Sequence, residues 1–182
     1  MSEDILPGYV RVSDILKPYS KLDGIPISFL EKAADRGTRV HEYCTEYSQN
    51  VFLSDIDEDC LPYVNSFIKW FDEKKIKLLY IGDRMYHHGM KVTGEYDLIV
   101  DLGDGKNTLL DLKTSAKESK SWSLQLAAYK FLVEHNFKMN IERRCVLMLP
   151  KTGSCAKLIE YQDHLTDQSL FISAVYLYHH FN

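Results

Sequence analysis

The sequence predicts a mixed α/β domain over residues 1–182, with one central mixed β-sheet flanked by α-helices. Two observations lead there. Apolar residues recur at helical spacing in some segments and run through short strand-like segments in others. The order is helices, a strand meander, a helix, two strands and a helix, which buries best as a sheet covered by helices. No internal repeat, low-complexity tract or linker divides the 182 residues, enough for one sizeable core.

Each element has its own signal. Ser13 is placed to N-cap a short helix ending near Lys17-Pro18. Tyr19 to Ser28 reads as a loop, with Asp23-Gly24 as a turn and Pro26 as a breaker. Ser28, with Glu31 three residues on, forms a capping box for a long helix to about Asn50. Asp57 to Lys74 carries Leu61, Val64, Phe67, Ile68 and Phe71 at helical spacing. Lys77 to Tyr86 and Lys91 to Leu102 read as strands joined at His87-His88-Gly89, and Asn107 to Thr114 as a third. Trp122 to His135 is a strongly apolar helix. Arg143 to Leu149 and Ala156 to Tyr161 are two strands turning through Pro150-Lys151-Thr152-Gly153, and Asp163 to His180 is a closing helix. In that helix, Tyr176, Tyr178 and Phe181 can pack inward or form an oligomer contact.

Composition narrows the function. No apolar run approaches the roughly 20 residues of a membrane helix. The start, Met1-Ser2-Glu3-Asp4, lacks the basic residues of a targeting peptide, so an intracellular, cytoplasmic protein is expected. A net charge of −4 argues against duplex binding through a globally basic surface. It leaves room for a local basic track, and Lys106, Lys113, Lys117, Lys120 and Lys130, with Arg36 and Arg39, are the candidates. Cys44, Cys60, Cys145 and Cys155 form no C-x-x-C pair, which argues against a zinc site. Cys145 and Cys155 fall on neighbouring strands and can meet, although buried thiols are the expectation in a reducing compartment.

The chemistry centres on Asp111-Leu112-Lys113. Side chains alternate along a strand, so Asp111 and Lys113 share a face. The preceding strand carries Gly94-Glu95-Tyr96-Asp97, and Gly103-Asp104-Gly105-Lys106-Asn107 turns between them. A loop centred on Asp104 sets Asp97 opposite Asp111; one centred on Gly105 sets it opposite Lys113. Either places Asp97, Asp111 and Lys113 on one face, and an even-length loop splits them. Leu98, Val100, Leu102, Leu110 and Leu112 then fill the other, core face. Two carboxylates and a lysine on a hairpin's polar face can hold a divalent metal and activate a water.

Two helices add to this. Leu30, Ala33, Ala34, Gly37, Val40, His41 and Cys44 form one stripe, which turns His41 toward the sheet, with Gly37 allowing close helix–sheet approach. A lone histidine there is ordinarily a hydrogen-bonded core residue, and becomes a metal ligand if it abuts two carboxylates. On the later helix, Gln125 and Tyr129 are spaced i, i+4 and share a face.

Taken in order, G-T-x-V-H, G-x-x-D, D-x-K and Q-x-x-x-Y resemble the PD-(D/E)XK nuclease superfamily, specifically its RecB-like exonuclease branch and its small phage-encoded members. The resemblance runs from about Val12 to Tyr161 and implies a restriction-endonuclease-like core. It implies that His41, Asp97, Asp111 and the Leu112 carbonyl ligate Mg²⁺ or Mn²⁺. It implies that Lys113 orients or deprotonates the attacking water, and that Gln125 and Tyr129 complete the site. The implied activity is a metal-dependent DNA exonuclease of recombination, repair or replication, acting on linear ends, with a recombination or replication protein as a candidate partner. An endonuclease using the same site, and a catalytically silent nucleic-acid-binding or scaffold protein on the same fold, are the alternatives. Two departures stand out. The glutamate many members carry before G-x-x-D is absent from Ile81-Gly82-Asp83-Arg84, leaving Asp83 or Glu95 as substitutes. The four cysteines do not match the pattern that holds an iron–sulfur cluster in some members, so no cluster is expected.

Overall fold

Residues 77–101 fold back on themselves as one long hairpin, bent in the middle. The computed structural model describes residues 5–20 and 24–182, so Met1 to Asp4 and Asp23 of the expected turn lie outside the described residues. In chain order the elements are β1 (Val10–Arg11), α1 (Val12–Leu16), a 3₁₀ turn (Lys17–Tyr19), α2 (Ile27–Ser48), α3 (Leu61–Glu73), β2 (Lys77–Ile81), β3 (Arg84–His87), β4 (Val92–Glu95), β5 (Leu98–Asp101), β6 (Thr108–Lys113), α4 (Ser121–Phe137), β7 (Arg143–Met148), β8 (Lys157–Glu160) and α5 (His164–Phe181).

The strands form two sheets where one was expected. A five-stranded mixed sheet has the order β2-β5-β6-β7-β8, and a three-stranded sheet the order β1-β4-β3. The expected strands 77–86 and 91–102 are each broken into two. Ile81 pairs with Leu98 and Arg84 with Glu95, so the ladder keeps its register across the break. The break is a corner at Gly82-Asp83 and Tyr96-Asp97, where the hairpin leaves one sheet for the other. A Cβ on Gly82 would lie 1.8 Å from the Tyr96 carbonyl oxygen, so only glycine lets the two chains cross there.

β6 is the central strand, and β7 lies parallel to it through the α4 crossover. Both faces of the large sheet are dry. On one side Leu98, Val100, Leu110 and Leu112 pack with Val40, Cys44, Phe67 and Trp70 of α2 and α3. On the other, Ile99, Leu109 and Val146 pack with Leu126, Leu132 and Phe171 of α4 and α5. The face expected to be polar is therefore core along most of its length, and polar only where Asp97, Asp111 and Lys113 stand at its end. α4 covers that face.

Several boundaries moved for local reasons. Ser13 and Ser28 lie inside their helices, whose N-cap residues are Arg11 and Pro26 with no side-chain cap bond; the Pro26 carbonyl accepts from the Phe29 and Leu30 N–H groups. α3 starts at Leu61, because residues 57–60 form a separate turn, closed by the Cys60 N–H to Asp57 carbonyl bond. The first turns of α2 run beyond the core, leaving Ala33 and Ala34 exposed and only Val40, Cys44 and Ser48 buried. Cys145 is buried and Cys155 exposed, both as free thiols, so the two do not pair. Among the described residues no helix is long and apolar enough to cross a membrane.

Candidate functional site

The β5–β6 turn decides which carboxylates meet. Asp101 Oδ1 accepts hydrogen bonds from the Gly103, Asp104 and Gly105 N–H groups at 2.8, 3.0 and 2.9 Å. Gly103 (φ 96°) and Gly105 (φ 77°) supply the left-handed conformations this nest requires. Leu98 then pairs with Leu110 and Val100 with Thr108. Continued one step past Leu98, this register sets Asp97 opposite Asp111, the arrangement of a loop centred on Asp104.

Asp97 stands at the sheet corner, where the β5 ladder has ended and its carboxylate replaces a backbone partner. Its Oδ2 accepts from the Leu112 N–H at 2.6 Å, and its Oδ1 lies 3.0 Å from His41 Nδ1. A strand residue directs its N–H and C=O to the same side, so the Leu112 carbonyl also faces the gap beside Asp97. Burial favours the neutral Asp97 acid, but His41, Lys113 and the Leu112 N–H outweigh it and hold the carboxyl below its usual pKa. Burial likewise opposes a charged His41 ring, and Asp97 and Asp111 outweigh it, raising the imidazole above its ordinary value. His41 thus abuts a carboxylate at the edge of the core, with its side chain 30% exposed.

Asp111 is buried, and burial, assisted by Asp97, raises its pKa against the pull of Lys113. Lys113 Nζ approaches Asp111 Oδ2 to 2.6 Å, but off the line of a hydrogen bond, and Oδ2 has no hydrogen-bond partner. The same ammonium donates to Gln125 Oε1 at 2.9 Å, and Gln125 Nε2 donates to the Tyr129 hydroxyl at 2.9 Å. Burial, with the Asp111 charge, raises the Tyr129 phenol well above its usual value and keeps it protonated. One polar chain therefore runs from Asp111 through Lys113 and Gln125 to Tyr129.

Gly94 makes this chain fit. A Cβ there would come within 2.9 Å of Tyr129 Cε1 and 3.1 Å of Leu132 Cδ1, so the glycine lets α4 lie against β4. Gly37 is less demanding: a Cβ would meet Thr114 Oγ1 at 3.8 Å, an ordinary contact. The structural roles of Gly82 and Gly94 escaped the sequence reading, because the corner that creates them was not foreseen.

Other candidates lie apart. Asp83 is exposed and accepts from the Arg84 N–H at 2.7 Å, while exposed Glu95 pairs with Arg84 Nη2 at 2.6 Å. Lys106 is in the turn at the opposite end of β5 and β6. Lys130 is engaged by Glu134 at 2.5 Å and by the Ile141 carbonyl. Arg36 lies over the Tyr63 ring. Lys117 and Lys120 are exposed on the segment that follows β6 and Lys113 in the chain.

Among the described residues, the trio whose ligand atoms lie within 4.8 Å of one another is Asp57, Asp59 and Cys60, not His41, Asp97 and Asp111. Arg39 fills that trio, donating to Asp57 Oδ2 at 2.6 Å and to both Asp59 oxygens at 3.0 and 3.1 Å. At Asp97 and Asp111 the donor set fits a divalent cation better: hard carboxylate and carbonyl oxygens and one imidazole, with the Asp111 carboxylate buried and only Lys113 against its Oδ2 atom.

The family model of the PD-(D/E)XK nuclease superfamily matches residues 58–168, well over half of the chain. The chain belongs to the PD-(D/E)XK nuclease superfamily. Asp97, Asp111, Lys113, Gln125 and Tyr129 of this nuclease all fall inside the matched segment, and His41 lies before it. A crystal structure of a candidate exonuclease from Eubacterium rectale superposes with a TM-score of 0.54 at 12% identity, covering 92% of this chain and 77% of that one. An alkaline exonuclease from Laribacter hongkongensis gives a TM-score of 0.46 at 12% identity, covering 93% and 89%. No curated protein sequence matches. At this identity the first likeness is one of fold. PD-(D/E)XK nucleases use divalent metals and act on nucleic acid.

Proposed function

We propose that this nuclease is a divalent-metal-dependent DNA exonuclease of the RecB-like branch, with His41, Asp97, Asp111 and the Leu112 carbonyl holding Mg²⁺ or Mn²⁺. The observation that carries the reading is Asp97 opposite Asp111, with Lys113 on the same face and its ammonium 2.6 Å from the buried Asp111 Oδ2 atom. When bound, the cation supplies Lewis-acid polarisation of the phosphate and lowers the pKa of a bound water. The residues do the rest. Lys113, held between Asp111 and Gln125, orients the attacking water and offsets negative charge gathering on the phosphate. Gln125 keeps that ammonium in place and is itself fixed by the Tyr129 hydroxyl. His41 positions the Asp97 carboxylate through Nδ1. Lys117 and Lys120 contact the phosphates of the strand.

The resemblance to the RecB-like branch, whose members work from DNA ends, favours an exonuclease of recombination, repair or replication. The test is degradation of end-labelled linear single- and double-stranded DNA beside a closed circle, with Mg²⁺, Mn²⁺ or EDTA. Metal-dependent loss of linear DNA with the circle spared is expected, and the released label gives polarity. Asp111→Asn is expected to abolish cleavage with the melting curve unchanged. Lys113→Ala is expected to lose turnover by at least 100-fold while retaining Mn²⁺ binding by calorimetry. A folded, metal-binding protein that cleaves nothing would replace this reading with a silent nucleic-acid-binding module. Cutting of the circle would make it an endonuclease.

A further inference from the structure

α5 breaks the usual rule for a surface helix. An amphipathic helix hides one apolar stripe and shows water a polar one. α5 buries Phe171, Ala174 and Val175 against the core, packing on α4 and α1. Its outward stripe, positions 165, 166, 169, 170, 173, 176, 177, 180 and 181, contains no Lys, Arg, Asp or Glu. Leu165 (79%), Phe181 (76%) and Tyr176 (68%) stand largely in solvent, with Leu170 and Leu177 about half exposed. The serines on this stripe make no demand on water. Ser169 Oγ donates to the Leu165 carbonyl at 2.8 Å, and Ser173 Oγ to the Ser169 carbonyl at 2.9 Å. Both can be dried without losing a hydrogen bond.

We infer that this stripe is the contact face of a two-fold dimer, in which α5 packs antiparallel on α5 of a second copy, with the axis near Ser173. Three features select a second copy. An uncharged face meets its own image without like-charge repulsion, and the antiparallel arrangement opposes the two helix dipoles favourably. Leu170 and Leu177 are two turns apart and nearly equidistant from Ser173–Ala174, so Leu177 of one copy lies against Leu170 of the other, an isologous contact. Beside Leu170 a cavity of about 620 Å³ is lined by Pro18, Tyr19 and Leu124 on its apolar side and by Glu118, Lys120 and Asp167 elsewhere, and the apolar side offers a recess for such a contact. The five exposed side chains present roughly 600 Å² per copy, so a pairing that covered all of them would remove at most about 1,200 Å² from water, the lower edge of stable interfaces. Small Ser173 at the axis lets the helices approach closely.

The inference stands apart from the catalytic reading, and its test does not use activity. Sedimentation velocity of the full chain from 1 to 100 µM is expected to show twice the 21.1 kDa monomer mass. Leu177→Glu, at an exposed position, is expected to weaken the dimer at least 100-fold with an unchanged circular dichroism spectrum. Ser173→Cys in a Cys155→Ser background is expected to cross-link to a covalent dimer on oxidation. Thr166→Cys, whose mate in the dimer is about 20 Å away by helix rise, is expected not to. A mass that stays at the monomer value throughout, a trimer or larger ring, or a dimer indifferent to Leu177→Glu and not cross-linked through residue 173 would each overturn the inference.

Discussion

Three glycines, alike in the sequence, separate sharply in the fold. Gly82→Ala drives a Cβ into the Tyr96 carbonyl at the sheet corner, and a stability loss on the order of 4 kcal/mol is expected in urea denaturation. Gly94→Ala presses on the edge of the Tyr129 ring. The ring moves before the backbone does, so turnover is expected to fall further than the melting temperature. Gly37→Ala meets only an ordinary contact with Thr114 and replaces glycine inside a helix, so it is expected to stabilise by up to about 1 kcal/mol. The pattern around Gly37 and His41 placed the histidine on the inward side correctly, but gave the glycine a packing duty that the structure assigns to Gly82 and Gly94. The parity of the Asp97–Asp111–Lys113 face was legible, because a hairpin loop is either odd or even. The choice between its two centres was not, since it rests on the Asp101 side chain closing the turn.

At the scale of elements, helix positions were readable and the strand breaks were not. Lys77 to Tyr86 reads as one strand because the pairing keeps its register across the corner, from Ile81–Leu98 to Arg84–Glu95; the register shift between Leu78 and Tyr80 leaves no signal in the apolar run Leu78 to Ile81. α5 is fixed to the sheet by Arg144, which is buried and reaches the Asp167 Oδ2 atom at 3.0 Å and the Ser123 carbonyl at 3.0 Å. Removing Asp167 strands that guanidinium, so Asp167→Ala is expected to cost about 3 kcal/mol by denaturant unfolding. The β3–β4 turn has a different dependence. His87 Nδ1 accepts from the Met90 N–H at 3.1 Å, with its ring against Phe131 and His135. Burial, then the neighbouring His135 and His88, depress its pKa. A depressed histidine binds fewer protons folded than unfolded. Its contribution is therefore complete above the ordinary value of about 6.5 and is lost as pH falls through the folded value. The protection factor of the Met90 amide, corrected for base-catalysed intrinsic exchange, is expected to fall over that window, and a protection factor constant from pH 7.5 to 5 would contradict the assignment.

Over the whole molecule, the layered α/β architecture followed from element order alone, but its division into two sheets did not, because one chain segment belongs to both. The shared hairpin couples the sheets, and heat is expected to unfold the described domain in one cooperative transition by calorimetry, with equal calorimetric and van't Hoff enthalpies. Asp97 occupies the residue at which that coupling is made. Its carbonyl accepts from the Gly82 N–H at 2.7 Å while its side chain closes on Leu112 and His41. A chain whose corner is not yet closed lacks the Gly82 N–H to Asp97 carbonyl bond, and the backbone that aims the Asp97 carboxylate at Leu112 and His41 is then unanchored on that side. The crossing that completes the fold is thus the one that fixes the candidate site, so that folding and readiness for chemistry arrive together.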